Sequence, residues 1–202
     1  MTAIALHPER NIIRVQLQHN ALLSSMDETS FAELEAQLSV VDCAKGNFML
    51  RQGVHDMEQY FILDGILKRV VANAEGKEMI LRFAAERDME TSYAAWRLKT
   101  PTPYNIVSVT KARVVKLPMP QWIDFMERHP TVKHQFEYDV MSLMSEIMAH
   151  TITLHLLDAP GRVRRFMRKH PELFERIPKK ELAAYLNLSA ETLSRLKQRG
   201  KI

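Results

Sequence analysis

The residues best suited to chemistry stand together near the C-terminal end of the chain, in "LNLSAETLSRLKQRGKI" (residues 186–202). Glu191 and Arg195 are one helical turn apart, and Ser189, Thr192, Ser194, Lys197 and Arg199 surround them. Leu193 and Leu196 fall on one face, so a helix here has an apolar side and a polar one. Ser189 suits an N-cap, and Glu191 then sits in the first turn beside the positive end of the helix dipole. An arginine fork matches the O6 and N7 acceptors of guanine, a carboxylate accepts from a cytosine amino group, and short hydroxyls reach phosphates or base edges. Taken alone, the same face also reads as a solvated terminal helix, the commoner fate of charged helix surfaces.

The charge distribution narrows the choice. Residues 159–202 carry 12 Lys and Arg against four Asp and Glu, whereas residues 1–158 carry 16 against 20, within a net charge of +4. A compact basic segment on a mildly acidic body is the footprint of a polyanion-binding module, with DNA, a membrane surface and an acidic partner all compatible. At 202 residues, 46% hydrophobic and 26% charged, the chain is globular and can bury a core. Cys43 is alone, which excludes an intramolecular disulfide and any all-cysteine metal site. The start, "MTAIALHPERNIIR", lacks the apolar stretch of a signal peptide, and no run reaches membrane-spanning length. A cytoplasmic location without membrane contact is the expectation.

Upstream elements must carry this tail. Gly46, Gly53, Gly65 and Gly76 punctuate short apolar runs, "NFMLRQG", "QYFILDG", "ILKRVVANAEG" and "KEMILRFA", and these read as successive strands with a hairpin turn over residues 73–77. "YNIVSVTKARVVKLP" adds two more, which suggests a barrel or jelly roll. "SFAELEAQLSVV" before them reads as an amphipathic helix. From Pro120 the period becomes helical: "QWIDFMERHP" is one helix, and residues 131–157 form a second of about seven turns. Phe136, Val140, Leu143, Ile147, Leu154 and Leu157, with His150 in the gap, form a coiled-coil seam, and the pattern predicts a homodimer through it. "DAPGRVRRFMRKHPELF" breaks at residues 158–161, a hinge, and restarts as a basic helix. "PKKELAAYL", the turn over residues 186–188 and the terminal helix make a helix-turn-helix, in which Ala183 and Ala184 permit close approach.

Together these segments resemble the CRP/FNR family of transcription regulators. The resemblance is carried by "KGNFMLRQG", "YFILDGILK" and "EGKEMILRF" in the sensor, "LLDAPGRVRRF" at the hinge and, most sharply, "IPKKELAAYLNLSAETLSRLK". It implies an α+β chain with a β-roll sensor over residues 1–119, resembling a cyclic nucleotide-binding domain, a connector with a dimerisation helix over 120–158, and a DNA-binding domain over 159–202. It also implies double-stranded DNA as a partner, with room for RNA polymerase as another. Glu191, Ser194 and Arg195 match the family's recognition core; Ser189 and Thr192 are short donors suited to phosphates or base edges, and Lys179, Lys180, Lys197 and Arg199 suit phosphates. The sequence stops soon after Ser194-Arg195-Leu196-Lys197, so it is similar to the short members without a wing.

The sensor departs from the cyclic-nucleotide-binding pattern. Thr91 and Ser92 stand where Gly-Glu is expected, and "TPTPYN" replaces the phosphate-binding arginine, while Arg97 and Lys99 fall in the loop before it. The expected pocket, Leu81, Phe83, Met89, Thr91, Ser92, Tyr93 and Tyr104, suits a neutral or aromatic effector or is filled by its own side chains, and cAMP is not expected to act. A lone Cys43 excludes an FNR-type iron–sulfur cluster. His129, His134, His150 and His155 lack metal-ligand spacing, Met141, Met144 and Met148 read as core and seam filler, and no hydrolase elbow, phosphate loop or zinc-protease motif occurs, so neither enzyme nor cofactor is expected. The rival reading is a small-molecule-sensing module whose tail binds a protein instead of DNA.

Overall fold

The computed structural model of the protein describes residues 2–76 and 78–199. Lys77, at the hairpin turn expected over residues 73–77, and residues 200–202 of the terminal segment lie outside the described residues.

In chain order the elements are β1 (Thr2–Ala3), α1 (Arg10–Gln18), α2 (Ala21–Ser24), α3 (Glu28–Glu35), β2 (Ser39–Cys43), β3 (Phe48–Leu50), β4 (Glu58–Asp64), β5 (Leu67–Ala72), β6 (Glu78–Ala84) and β7 (Met89–Glu90). Then follow α4 (Tyr93–Arg97), β8 (Asn105–Ser108), β9 (Ala112–Pro118), α5 (Met119–Arg128), α6 (Pro130–Leu156), α7 (Ala159–Lys169), α8 (Pro171–Phe174), α9 (Lys179–Tyr185) and α10 (Ala190–Gln198). The strands form two antiparallel sheets, ordered β1-β2-β9-β4-β7 and β3-β8-β5-β6, facing each other as a roll. The mixed α+β architecture is therefore the one expected.

The period-2 alternation of the strands sorts side chains into separate cores. Along β4, Tyr60 and Ile62 point into the roll, while Phe61 and Leu63 face an outer layer of helices. Along β9, Val114 points in and Val115 and Leu117 point out. Both faces are covered, which is why these strands read as nearly continuous apolar runs. The outer core joins α1–α3 to α5 and the first half of α6 around Trp122, whose ring meets Phe61 at 5.7 Å and Phe136 at 5.3 Å. The last three residues of the expected "SFAELEAQLSVV" helix instead open strand β2, paired with β9 through Val40 and Val115; a short apolar run carries no period of its own.

At the β4–β5 turn the chain depends on Gly65, which has φ +90°; a Cβ there would lie 2.3 Å from the Lys111 carbonyl oxygen and 2.7 Å from Ala112 Cα. Only glycine fits both the left-handed backbone and the approach of the neighbouring turn.

A third core lies on the far face of the second sheet. Val70, Ile80 and Phe83 pack there against Phe166, Leu182, Tyr185, Leu193 and Leu196 of the C-terminal helices. The C-terminal module thus docks on its own roll. The contact is tied by Lys68 Nζ to Glu181 Oε2 at 2.9 Å and by Arg176, whose guanidinium donates to both Glu86 oxygens at 2.6 and 2.8 Å. No helix among the described residues is long and apolar enough to cross a membrane.

Candidate nucleic-acid interface and sensor interior

The C-terminal helix pair is built from local rules. Pro178 precedes α9, and Asn187 takes a left-handed conformation (φ +52°) that an asparagine tolerates, turning the chain sharply between the two helices. Ser189 then caps α10, its Oγ accepting from Thr192 N at 3.1 Å. Leu182, Ala183, Leu186, Leu193 and Leu196 are buried between the helices and the roll. Ala183 is the small residue at this contact; Ala184, paired with it in the sequence reading, is exposed, because a helix turns consecutive residues 100° apart.

This packing leaves Glu191, Arg195, Lys197 and Arg199 exposed, with Lys179 and Lys180 at the start of α9. Thr192 and Ser194 are half-buried at the edge of that surface. Lys179 Nζ donates to Ser194 Oγ at 3.2 Å, and Ser194 Oγ donates to the Ala190 carbonyl at 2.8 Å. Arg195 Nη2 touches Thr192 Oγ1 at 3.4 Å, which holds the guanidinium loosely along the helix. The nine sequence-predicted residues thus lie on α10, at its caps and at the start of α9, which Lys179 joins to Ser194. Ser189 differs in use: its hydroxyl is engaged in capping and in a 3.0 Å contact with Thr192 Oγ1.

Inside the roll the picture departs from the expected pocket. Thr91, Ser92 and Tyr104 are buried there, and Leu81 packs partly against the same core. Phe83, Met89 and Tyr93 do not join them. A bulge between β5 and β6 puts Arg69 opposite Arg82 but Val70 opposite Ile80, so one extra residue reverses the alternation and turns Phe83 outward onto Tyr185, 5.1 Å between centroids. Met89 belongs to the outer helical core, and Tyr93 leaves the roll to stack edge-on against Phe136 and donate to Glu137 Oε1 at 2.7 Å. Burial, then that contact with Glu137, pushes the Tyr93 hydroxyl up to about 12.

The residues that fill the roll escaped the sequence reading. Arg69 and Glu90 are essentially inaccessible, with side-chain exposures of 2% and 0%, and Arg69 donates to Glu90 Oε2 through Nε at 3.1 Å and Nη2 at 2.6 Å. Nη2 also donates to the Thr91 carbonyl at 3.0 Å, and the guanidinium lies 4.2 Å from the centroid of the Tyr104 ring. Tyr104 Oη donates to that same Thr91 carbonyl at 2.8 Å, and Arg82 Nε lies 3.4 Å from Glu90 Oε1. The interior therefore holds its own cation and anion. The available signal was positional: Leu67 faces inward, so period 2 sends Arg69 inward too.

On α6 the residues of the expected seam are largely covered within one protomer. Phe136 and Val140 are buried within the protomer's own outer core, Leu143 is buried further along the helix, Ile147, His150 and Leu154 are half-buried, and Leu157 is exposed. The roll's helical layer needs an apolar stripe to close it and takes this one. His150 lies flat on Tyr185, centroids 3.8 Å apart, and its Nε2–H donates to the Tyr185 carbonyl at 3.1 Å; burial lowers its pKa to about 4. A second stripe faces outward: Tyr138, Met141, Met148 and Ile152, with Ser145 completing a three-four spacing and Met144 and Leu156 flanking it. Tyr138 is 60% exposed and Met141 64%, so the stripe is an uncovered apolar face of the protomer. Among the described residues no cluster of His, Cys, Asp and Glu is arranged to hold a metal ion.

Residues 40–129 match the family described as "Cyclic nucleotide-binding domain". Among solved structures, the fold is similar to that of CLP, a c-di-GMP-responsive global regulator from Xanthomonas campestris (TM-score 0.71, 13% identity, covering 86% of this chain and 92% of that one). It is similar also to FixK2 from Bradyrhizobium japonicum (TM-score 0.69, 15% identity, covering 81% and 86%). A third likeness is to the Catabolite Activator Protein of Thermus thermophilus (TM-score 0.56, 18% identity, covering 89% and 87%). No curated protein sequence matches the chain. The cyclic nucleotide-binding fold over residues 40–129 and the fold of the chain as a whole are those shared with these solved structures, the α+β fold that the resemblance implied.

Proposed function

We propose that this CRP/FNR-like chain is a homodimeric, sequence-specific DNA-binding transcription regulator that does not answer to cAMP. The observation that carries the reading is α10 itself: capped by Ser189, buried on its leucine face and exposed at Glu191, Arg195, Lys197 and Arg199. Set into a major groove, Arg195 bonds a guanine edge and Glu191 a cytosine amino group on a neighbouring base pair, with Thr192 and Ser194 beside them. Lys179, Lys180, Lys197 and Arg199 contact phosphates and supply affinity without sequence information. Two copies meet through the outward stripe of α6, which adds apolar burial to a helix too long for one protomer to cover. Arg69 and Glu90 occupy the roll interior, so a cyclic phosphate entering it would meet a guanidinium already committed to a carboxylate.

Selection of binding sequences from a random pool with the purified protein tests the reading. The expected product is a palindrome with half-sites about one helical turn apart, bound with an affinity that falls log-linearly with salt. Recovery of no consensus sequence, with retention of a protein partner by the same basic face, would replace DNA reading with a protein-docking role.

A further inference from the structure

Between the second sheet and the C-terminal helices lies a cleft of about 290 Å³ that belongs neither to the roll interior nor to the face of α10. Its floor is aromatic. Tyr185 stands 5.1 Å from Phe83 and 5.6 Å from Phe166 between ring centroids, and His150 stacks on it from α6.

Its sides are charged, and the charges do not cancel. On the acidic side, Glu86 is held by Arg176, Glu146 by Lys169 at 2.9 Å and Asp88 by Arg82 at 3.4 Å. Arg162 donates to the carbonyls of Leu157 and Leu186, neutral acceptors that leave its charge unbalanced. Arg165 is half-buried and makes no hydrogen bond or ion pair among the described residues. Against these two cations stands one exposed carboxylate at the rim, Glu172. Burial lowers both His150 and His170; at His150 the cations Arg165 and Lys169 push the same way, whereas at His170 Lys169 adds to burial and Glu146 and Glu172 oppose it. A half-buried guanidinium without an acceptor is costly unless an anion visits it.

We propose that this cleft binds a small phosphate-bearing ligand with a flat ring, of about mononucleotide size, its phosphate on Arg165 and its ring against Phe83 and Tyr185. Guanidinium forks suit phosphate oxygens, and the volume lies at the small end of ligand pockets, which leaves room for one ring system. The lining comes from β6, α6, α7 and α9 together. A ligand here therefore touches the sensor, the long helix and the helix pair at once, and it shifts their arrangement by as much as it prefers one arrangement over another. That consequence rests on the regulator reading; the binding does not.

Calorimetry on the full chain with each of the four 5′-nucleoside monophosphates, with the parent nucleosides and pyrophosphate alongside, tests the site. At least one monophosphate should saturate at one per chain with a dissociation constant below about 1 mM, at least tenfold tighter than its nucleoside and than pyrophosphate. Arg165→Gln should weaken it at least tenfold with an unchanged melting temperature, and Ser92→Ala in the roll should leave it alone. Absence of saturable binding by all four, equal binding by Arg165→Gln, or loss on Ser92→Ala each overturns the proposal. A ligand that binds as expected while operator affinity stays constant upholds the site and overturns its regulatory consequence. Failure of DNA binding altogether, with the calorimetry intact, overturns only the regulator reading.

Discussion

Breaking the buried pair in the roll should cost far more than removing it whole. Arg69 and Glu90 share two hydrogen bonds at 2.6 and 3.1 Å, and both side chains are shielded from water. At about 3 Å and an effective dielectric constant near 20, their attraction is about 5 kcal/mol, set against the desolvation of two ions. Glu90→Gln keeps the volume but leaves the guanidinium without its counter-ion, and Arg69→Met leaves the carboxylate with only Arg82 at 3.4 Å. Each single change should therefore cost about 3–5 kcal/mol of unfolding free energy. The double change, Arg69→Met with Glu90→Leu, removes both charges and substitutes packing. It should recover most of that loss, so the two sites should couple by about 2 kcal/mol or more. Urea unfolding followed by tryptophan fluorescence reads all four proteins on one scale, since Trp122 lies in the adjoining outer core. Single variants that each cost less than about 1 kcal/mol, or a double variant as unstable as the sum, would refute the interior ion pair as the element that fills the roll. The same proteins carry the functional corollary: any saturable heat from cAMP or cGMP at millimolar concentration should be the same in the double variant as in the unaltered chain, because neither ligand enters the roll.

Four further outcomes follow from the same geometry. Arg195→Ala should cost about 1–3 kcal/mol on the selected DNA site and flatten discrimination at one base pair per half-site, whereas Lys180→Ala should weaken all sequences alike in a filter-binding titration. Met148→Asp with Ile152→Asp should yield monomers in sedimentation at micromolar concentration, because the carboxylates would be buried unpaired, while Leu154→Ala should leave the dimer intact. Gly65→Ala should lower stability by about 2 kcal/mol or more in a denaturant titration, since the new Cβ meets backbone that cannot yield. Acid should loosen the C-terminal module. His150 titrates near 4 when folded and near 6.5 when unfolded, so below pH 6.5 the unfolded chain binds more protons and stability falls as pH drops toward 4. Allowing for partial exposure the loss is about 1–2 kcal/mol, and His150→Gln should flatten that slope in urea titrations at stepped pH.

Local rules decided much of this protein. Ser189 as a cap, Pro178 before a helix, the turn at Asn187 and the leucine stripe of α10 all act within a few residues, so the helix pair and its exposed face were readable in order along the chain. The same holds for β3 to β6, β8 and β9, whose alternation is a property of each segment. What the sequence alone left open is whatever depends on which surfaces meet. The long helix α6 carries two apolar stripes, and the spacing of Phe136, Val140 and Leu143 is as good a seam as that of Tyr138, Met141 and Met148. Only the presence of Trp122 and Tyr93 against one of them assigns it to the protomer and frees the other. Alternation carried unbroken through β6 would put Phe83 beside Leu81 inside the roll, and one bulge, a matter of pairing between two strands, reverses it. Arg69 and Glu90 lie 21 residues apart and neither is unusual in its own neighbourhood. Their meaning arises from the closure of the roll, which strips both of water and leaves each as the other's nearest compensating charge.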